Sequence, residues 1–388
     1  GHGVAALLDA AGTERGTYRN RFLAVPRDTA IVPLPRPRPL APGAQTARVV
    51  GLPEAANTAN REHQVRIQFG WQRGSVPNPG GLSDTGSSAH PDGHAPGNET
   101  SGTWVRVAEW LAGPNWGSNA LPRIGSEVLV EFLHADIDQP VVTGQLYNGE
   151  VALPFAAGVD GDSNHPGTLS GLHTQSLDGG GQQQWLLDDA PGQLRQRLHT
   201  TLADSRLEIG YLVQHSNGQR GGLRGQGFDL ATLGWGNVRA GDGLLLSASA
   251  RSNAVSTQLD VAEAVTQFKG AQQTAKTLDD TLKQQQVAPL QGNVPQTAFI
   301  ATLDAGQDGR YHGEVAGQSA TKPASGQRDG GDPVERFAKP LLFVEGPDQI
   351  ALATPSSALA YAGGHLHLTV QDDAHLAAGQ TVAGVSGA

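Results

Sequence analysis

Strict alternation of apolar and polar residues constrains this chain more than any other feature of its sequence. The segments 64–69 and 127–132 place an apolar side chain at every second position, and 104–107 and 141–144 are shorter strand-like stretches. Successive side chains of a strand point to opposite faces, so this pattern predicts strands with one buried face. The interval 74–102, rich in polar residues, glycine and proline, is predicted to be a long loop.

About five short strands around one long loop predict a small closed barrel, and the OB-fold is a common barrel of this size. Further strand-like segments at 185–187 and 207–213 lie between turns, and the glycine-rich stretch 218–227 is predicted to be a loop. A length of 388 residues allows two or three domains. The expected fold is therefore mainly β.

Charge and cysteine content exclude several classes of function. Lys and Arg total 27 against 37 for Asp and Glu, a net charge of -10, which disfavours the phosphate contacts of nucleic-acid binding. The chain has no cysteine, so disulfides, thiolate zinc sites and thiol nucleophiles are excluded. No run of about 18 apolar residues predicts a membrane span, and the first residues lack the regions of a signal peptide. The absence of methionine, including at position 1, suggests a fragment or replaced methionines.

The segment 257–290 is predicted to be an amphipathic helix. Residues 257–260 form a capping-box pattern, and the apolar positions that follow, beginning with Val261 and Phe268, recur at helical spacing. The other face is rich in Gln, Lys and Asp, and Pro289 ends the segment. The apolar face either packs on its own chain or contributes to a contact among three chains.

After Pro347 the sequence becomes a series of short alternating pieces. They are separated by Gly363-Gly364, Asp372-Asp373 and Gly379, a pattern typical of the rungs of a β-helix or β-prism. One such unit cannot bury its own apolar face, and intertwining three copies would bury it.

Four blocks of the sequence resemble one known family. They are 104–108, 112–117, 122–133 and 138–148, and the last contains an acidic residue, a proline, an apolar pair, a glycine and then Tyr-Asn. By the order and spacing of these blocks, the chain resembles the VgrG or Rhs-element Vgr family, the spike at the tip of the type VI secretion machine.

The resemblance implies an OB-fold barrel followed by a β-helical or β-prism needle that three chains form together, with one inserted helix. Seven segments are expected on this basis. They are 1–24, a remnant of an N-terminal hub-like base domain; 25–44, a proline-rich linker; 45–152, the OB-fold domain; 153–256, a Vgr β-region leading into the needle; 257–290, the amphipathic helix; 291–348, an irregular connector; and 349–388, the start of the C-terminal β-helix or prism.

The resemblance also implies a structural function, in which a homotrimeric needle punctures target membranes and carries secreted effectors. Its other partners would be an Hcp-like tube protein at the base, a PAAR-repeat protein at the tip and, transiently, the membrane of the target cell. The protein would stay in the bacterial cytoplasm before firing and then leave through the type VI system without a signal peptide. Trp116 and Arg123 would have packing and turn roles, or would contact a partner directly.

Two other functions fit the same pattern. A contractile-phage-like tail spike has the same physical requirements, and a β-helical enzyme acting on polysaccharide or peptidoglycan would need paired carboxylates in a cleft. Asp188-Asp189 is the obvious acidic pair, and its position before Ala190-Pro191-Gly192 predicts a turn. The sequence lacks the serine-hydrolase elbow, the zinc helix, the phosphate loop and the dinucleotide fingerprint, so no catalytic or cofactor-binding residue is predicted.

Three sets of residues have metal-ligand chemistry. His365 and His367 alternate along a predicted strand, and threefold symmetry would place six imidazoles around one axis, as in the iron motif of the phage spikes that the chain resembles. The preferred interpretation is that both imidazoles face solvent or hydrogen-bond locally, so no metal site is predicted and His365 and His367 are kept only as candidates. The loop 90–94 lacks a metal-binding spacing, and the segment beginning at Asp160 and Asp162 lacks the glycine and closing glutamate of a calcium loop.

Overall fold

The structure is a computed structural model, and it describes most of the chain outside its N-terminus and three longer internal segments. The described residues are 21–30, 32, 35–52, 54–72, 97–99, 101–149, 151–155, 157, 166–216, 219–250, 258–303, 314–315, 318–319, 337 and 339–387. The chain divides into two compact units, Gly1–Trp235 and Gly236–Ala388.

Five strands of the first unit close into a barrel. In chain order the strands are β1 (Gln45–Val50), β2 (Gln64–Phe69), β3 (Thr103–Val107), a short hairpin of β4 (Ala112–Gly113) and β5 (Trp116–Gly117), β6 (Glu127–Phe132) and β7 (Pro140–Leu146). The order around the barrel is β1-β2-β3-β7-β6, with β6 paired back to β1. β3 and β7 are parallel, and the other neighbours are antiparallel. The predicted OB-type barrel is confirmed.

The alternate apolar residues of the sequence fill the barrel interior. Val65, Ile67 and Phe69 of β2 are buried, as are Val128 and Val130 of β6. Their polar neighbours along each strand point outward, as the period of two requires. The barrel therefore has a complete core within one chain.

A second sheet of the first unit is antiparallel and has the order β12-β11-β10-β9-β8. Its strands are β8 (Leu169–Gln175), β9 (Gln182–Asp188), β10 (Arg195–Thr200), β11 (Ser205–Ser216) and β12 (Gln219–Ala231). The prediction of a loop over 218–227 is wrong for its described part, because β12 pairs with β11 through these glycines. The pairing shifts register near Val213, where the glycines of β12 allow the hairpin to bend.

In the second unit, two helices pack on a two-stranded parallel sheet. β13 (Leu244–Ser247) pairs with β16 (Leu342–Glu345), and between them lie α1 (Ala262–Gln284), α2 (Asn293–Leu303) and a hairpin of β14 (Glu314–Val315) and β15 (Gln318–Ser319). Val261, Ala264, Val265, Leu303, Phe337 and Phe343 form the shared core. Among the residues that the structure describes, no helix is long and apolar enough to cross a membrane.

Two sequence expectations for this unit need correction. The helix begins at Ala262, where Asp260 Oδ1 accepts a hydrogen bond from the Ala262 amide at 3.1 Å, and it ends at Gln284 rather than near 290. The interval 291–348 is not irregular throughout, since it contains α2 and β16. Pro295 hid α2 from the sequence pattern, although a proline is compatible with the first turn of a helix because the N–H groups there have no partner within the helix.

Residues 349–387 form no strand in the single chain, and every one of them is exposed. Most of their alternating apolar side chains therefore stay uncovered within this chain, although the segment contacts α2 at Thr369, whose Oγ1 accepts a hydrogen bond from Gln296 Nε2 at 3.2 Å. The expected start of a β-helix or prism stays a prediction, because its rungs would need strands from other copies.

We expect Ile67→Ala to lower the free energy of unfolding of the barrel by about 2–4 kcal/mol, because it removes buried methyl groups and leaves a cavity. Ile137→Ala is the matched control, since Ile137 is almost half exposed and its truncation leaves no cavity. Denaturant titration followed by tryptophan fluorescence measures both. Equal midpoints for the two variants would contradict this assignment of the core.

Candidate assembly surface

One face of the β8–β12 sheet is apolar across its full width. Strand pairing places one large apolar residue from each strand side by side, in the row Leu172, Trp185, Leu198, Leu207 and Leu230. A neighbouring row on the same face contains Leu187, Ile209 and Phe228, together with the polar residues Ser170 and Gln196.

Much of this face is exposed in the single chain. Trp185 retains 51%, Leu198 50% and Phe228 76% of its accessible surface. Contiguous apolar patches of this extent are uncommon on monomeric proteins and mark interaction surfaces. Covering the exposed half of one such side chain contributes about 1 kcal/mol. The row therefore has the chemistry of a contact surface rather than of a solvated one.

The opposite face of the same sheet carries charged residues that are buried. Asp188, Arg195, Arg197 and Glu208 are between 1% and 6% exposed. Charged side chains are seldom buried unless they are paired, because leaving water costs several kcal/mol. The sheet thus turns its polar face inward and its apolar face outward, the reverse of the barrel beside it.

The first set of ion pairs is centred on Asp188. Its Oδ2 atom accepts hydrogen bonds from Arg195 Nη2 at 3.2 Å and from Arg220 Nε at 2.7 Å. Its Oδ1 atom accepts from the Ala190 amide at 3.2 Å, which is the turn contact expected of the Asp188-Asp189 pair. Because Arg220 lies on β12, this contact holds the bent end of the β11–β12 hairpin against β9 and β10.

A second set is centred on Glu208 of β11. Glu208 Oε1 lies 2.8 Å from Arg197 Nε, and Oε2 accepts from Arg224 Nη1 at 2.5 Å. Asp229 bonds Arg206 and Arg224 in turn, so the ion pairs run continuously from β10 to β12. Removing one partner would leave a buried charge uncompensated, at a cost of about 3–5 kcal/mol. The sequence pattern does not indicate these pairs, because most of them form only when the strands are brought into register.

His215 lies within this ionic cluster. Arg195 Nη2 is 3.2 Å from His215 Nδ1, and since a guanidinium can only donate, Nδ1 is the acceptor. Burial, together with the Arg197 and Arg195 guanidinium groups, lowers the pKa of His215 to about 3. His215 is therefore neutral near pH 7, with its proton on Nε2.

A further exposed apolar surface is the extended segment 349–387 of the second unit. Leu352 and Tyr361 retain 94% and 96% of their accessible surface, and Leu359 and Leu376 are similarly uncovered. These residues follow the alternation that predicts strands, so they too have the pattern of a buried face without a partner in this chain.

Comparison with known proteins identifies the family. Residues 93–147 match the type VI secretion system/phage-baseplate injector OB domain, 175–281 match the putative type VI secretion system Rhs element Vgr, and 329–388 match an uncharacterized family conserved in bacteria. The type VI secretion system spike protein VgrG2b of Pseudomonas aeruginosa is 32% identical over 366 residues, which are 94% of this chain. The chain belongs to the VgrG family.

The chain spans about a third of the length of these VgrG relatives. It covers 31% of VgrG2b and 38% of VgrG2a, a second spike protein of Pseudomonas aeruginosa that is also 32% identical over 94% of this chain. The actin cross-linking toxin VgrG1 of Vibrio cholerae is 33% identical over 50% of this chain and 15% of that protein. A solved VgrG spike has 20% identity and a TM-score of 0.43 over 57% of this chain and 69% of that chain.

Trp116 and Arg123 of this VgrG chain make contacts of a structural kind. The Trp116 ring lies directly against Gly113. A Cβ added to this glycine would lie only 2.2 Å from Trp116 Cε2, so a side chain there would clash with the ring. Asn115, in the turn between them, has a positive φ of 63°. Arg123 Nη2 donates to the Gln175 carbonyl at 2.5 Å and so joins the barrel to β8. Trp116 also keeps 61% of its surface exposed, so the expected packing and turn roles and the alternative of a partner contact both stay predictions.

One serine, one histidine and one carboxylate of the VgrG barrel lie together, but not in a catalytic order. Ser118 Oγ donates to Glu109 Oε2 at 2.7 Å, and His63 Nε2 lies 2.7 Å from Glu109 Oε1. Serine and histidine thus both bond the carboxylate. In a catalytic triad the histidine would instead lie between the other two residues and accept the proton of the serine. Burial raises the pKa of Glu109, but hydrogen bonds from the Ala120 amide and from Ser118 outweigh it and hold that pKa below its ordinary value.

The described residues contain no group of three or more His, Asp or Glu side chains that could hold a metal. The ring centroids of His365 and His367 are 5.9 Å apart. The His367 ring also lies next to Gly292, because a Cβ added to that glycine would be 3.4 Å from it. A metal on these two imidazoles would need ligands from other copies, so His365 and His367 stay candidate ligands. The loop 90–94 and the residues Asp160, Asp162 and Asn164 lie outside the described residues.

We expect the stability of the chain to fall as pH is lowered from about 6.5 to about 3, partly because of His215. In this window the unfolded state binds a proton at His215 and the folded state does not, so acid favours unfolding. His215→Phe should be less stable at pH 7, because Arg195 loses an acceptor, but its stability should depend less on pH. Thermal unfolding between pH 3 and 7 measures this, with the exposed His375→Phe as control; equal slopes would contradict it.

Proposed function

We propose that this chain is the central part of a homotrimeric spike that works by mechanical delivery. The observation that carries the proposal is the β8–β12 sheet, whose buried face is charged and whose exposed face is apolar. A chain that leaves Trp185, Leu198 and Phe228 in water gains stability when identical copies cover them. The relatives that match 94% of this chain are named spike proteins of the type VI secretion system.

The extended segment 349–387 supports the same assembly. A single strand-like segment has unpaired backbone groups along both edges, and strands from two other copies would satisfy those groups and cover its apolar residues. A needle made in this way resists bending, because its hydrogen bonds run between chains. We infer that residues 349–388 begin this shared β-helix or prism.

The proposed partners follow from the proposed function. An Hcp-like tube protein would bind at the base, a PAAR-repeat protein would bind at the tip, and secreted effectors would travel with the spike into the target-cell membrane. The spike would be assembled in the bacterial cytoplasm and then exported by the type VI machine. The net charge of -10 argues against nucleic acid as cargo.

We propose no enzymatic activity for this segment. The titratable residues that lie together among those described are ion pairs or a shared carboxylate, as at Glu109 and Asp188, and they do not face a cleft with two carboxylates. The chain matches only 15% of the actin cross-linking toxin, so the activity in that protein's name gives no support for catalysis here.

The trimer is tested by placing a charge in the apolar row. Leu198→Asp should abolish assembly, because three carboxylates would be buried at the contact, and light scattering should then report the mass of one chain. Leu202→Asp is the matched control, since Leu202 is 80% exposed in the turn after β10 and lies off the sheet face. A wild-type chain that is monomeric, or a Leu198→Asp variant that still forms trimers, would refute the proposed contact.

The paired histidines are proposed as metal ligands of the assembled spike only. Imidazole nitrogen is a suitable ligand for iron, and three copies would supply six such groups. Elemental analysis of the purified trimer should then show one metal per three chains, and His365→Ala should remove it without changing the mass of the trimer. The variant His375→Ala should retain the metal. Metal-free wild-type trimer would end this part of the proposal.

A further inference from the structure

An open groove of the second unit lies between its two helices and the extended C-terminal segment. The helices contribute Phe268, Ala271 and Phe299, and the segment contributes Leu368 and Val370. The rings of Phe268 and Phe299 meet edge to face, with centroids 5.6 Å apart. The groove has a volume of about 470 Å³, so it can hold more than one apolar side chain.

One hydrogen bond fixes the extended segment at this groove. Gln296 of α2 is only 9% exposed, and its Nε2 atom donates to Thr369 Oγ1 at 3.2 Å. Leaving a buried amide without a partner is costly, so this bond favours one position of the segment against the helix. Val370 accordingly retains 47% of its accessible surface, whereas Leu359 retains 97%. The stretch 367–370 is thus placed along the groove.

The described residues of the second unit leave the groove open. Chain on either side of the stretch 367–370 does not cover it, since Leu359 and Val385 are almost fully exposed. Phe299 retains 39% of its accessible surface, although the adjacent Ile300 is buried. The stretch 367–370 belongs to no strand, and a peptide can add as a strand along such an edge. A strand added on the side of the helices would lie over the groove.

We propose that the groove receives apolar side chains from segment 349–387 of a second copy, which lies beside residues 367–370 as an added strand. This inference rests on the proposed trimer. The segment has apolar residues at 366, 368 and 370, and alternate residues of a strand are about 7 Å apart on one face. Two neighbouring apolar side chains of the added strand therefore enter the groove together.

Threefold symmetry allows every groove to be filled in this way. The first copy receives the segment of the second, the second receives that of the third, and the third receives that of the first. A contact between two different surfaces closes into a ring when the rotation between copies permits it. The helical hairpin then fixes the register of the shared strands, because a slip by one residue would turn the apolar side chains away from the groove.

The direct test replaces Phe299 of the whole chain with p-benzoylphenylalanine, which retains the aromatic ring and cross-links to nearby C–H bonds on irradiation. Denaturing gels should show covalently linked chains, and mass spectrometry should place the link within residues 349–387 of another copy. The same replacement at Val294 is the matched control. Val294 lies on the same helix and is 71% exposed, but it does not line the groove.

A second test fills the groove with a side chain of its own copy. In the trimer, Ala271→Trp should make amide hydrogen exchange of residues 365–370 at least tenfold faster, because the added strand is displaced. Light scattering should still report the mass of three chains, since the β8–β12 contact is unchanged. Gln273→Trp is the control, because Gln273 is exposed and two positions along a helix point to nearly opposite sides.

Light scattering also separates this inference from the proposed function. A monomeric wild-type chain refutes both. A trimer in which position 299 cross-links only within its own copy, or does not cross-link, overturns the groove contact and leaves the trimer standing. Equal cross-linking from position 294, or unchanged exchange in Ala271→Trp, has the same consequence. If Ala271→Trp does not fold, the cross-link at position 299 decides alone.

Discussion

The pairing of buried charges on one face of the β8–β12 sheet determines how the rest of this chain is arranged. Asp188 and Glu208 are each bound by two arginines, and these contacts draw the bent β11–β12 hairpin over the polar face. Once that face is covered, the alternation of the strands leaves the row containing Trp185 and Leu198 on the outside. Intrachain ion pairs therefore create the apolar surface on which assembly would depend. In the proposed trimer, folding of one copy would prepare the surface that the other copies cover.

The OB-type barrel has the same alternation along its strands, but it buries the apolar face and exposes the polar one. Its apolar positions, Ile67 among them, converge inside a closed ring of strands and need no second chain. The barrel can thus fold before association, while the sheet that follows it presents an unfinished surface. A stable domain next to an incomplete one suits the proposed spike, in which the later parts of the chain would join identical neighbours.

The sequence predicted the barrel but not the choice of face in the second sheet. The segments 64–69 and 127–132 have one polar and one apolar face, and closure of the barrel decides which face is inside. Along β10, however, Leu198 and Arg197 alternate with equal regularity, and only the distant Arg220 and Arg224 decide that the charged side is covered. The glycines of β12 resembled a loop because local propensity says nothing of a partner strand. The helix α2 was missed for a similar reason, since its Pro295 and β-branched residues hide the helical period.

The direct pairing of β13 with β16 has a consequence for how this chain can vary. The two strands adjoin in one sheet, although nearly a hundred positions separate them in sequence. The intervening helical hairpin therefore leaves the sheet and returns to it within about one strand length. Loop-closure entropy grows only slowly with length, but Val265 and Leu303 form the core together with Phe343 of β16, so any replacement would have to supply an equivalent apolar face. The connections between these elements can therefore vary in length, whereas the apolar helix faces that contact the sheet are constrained.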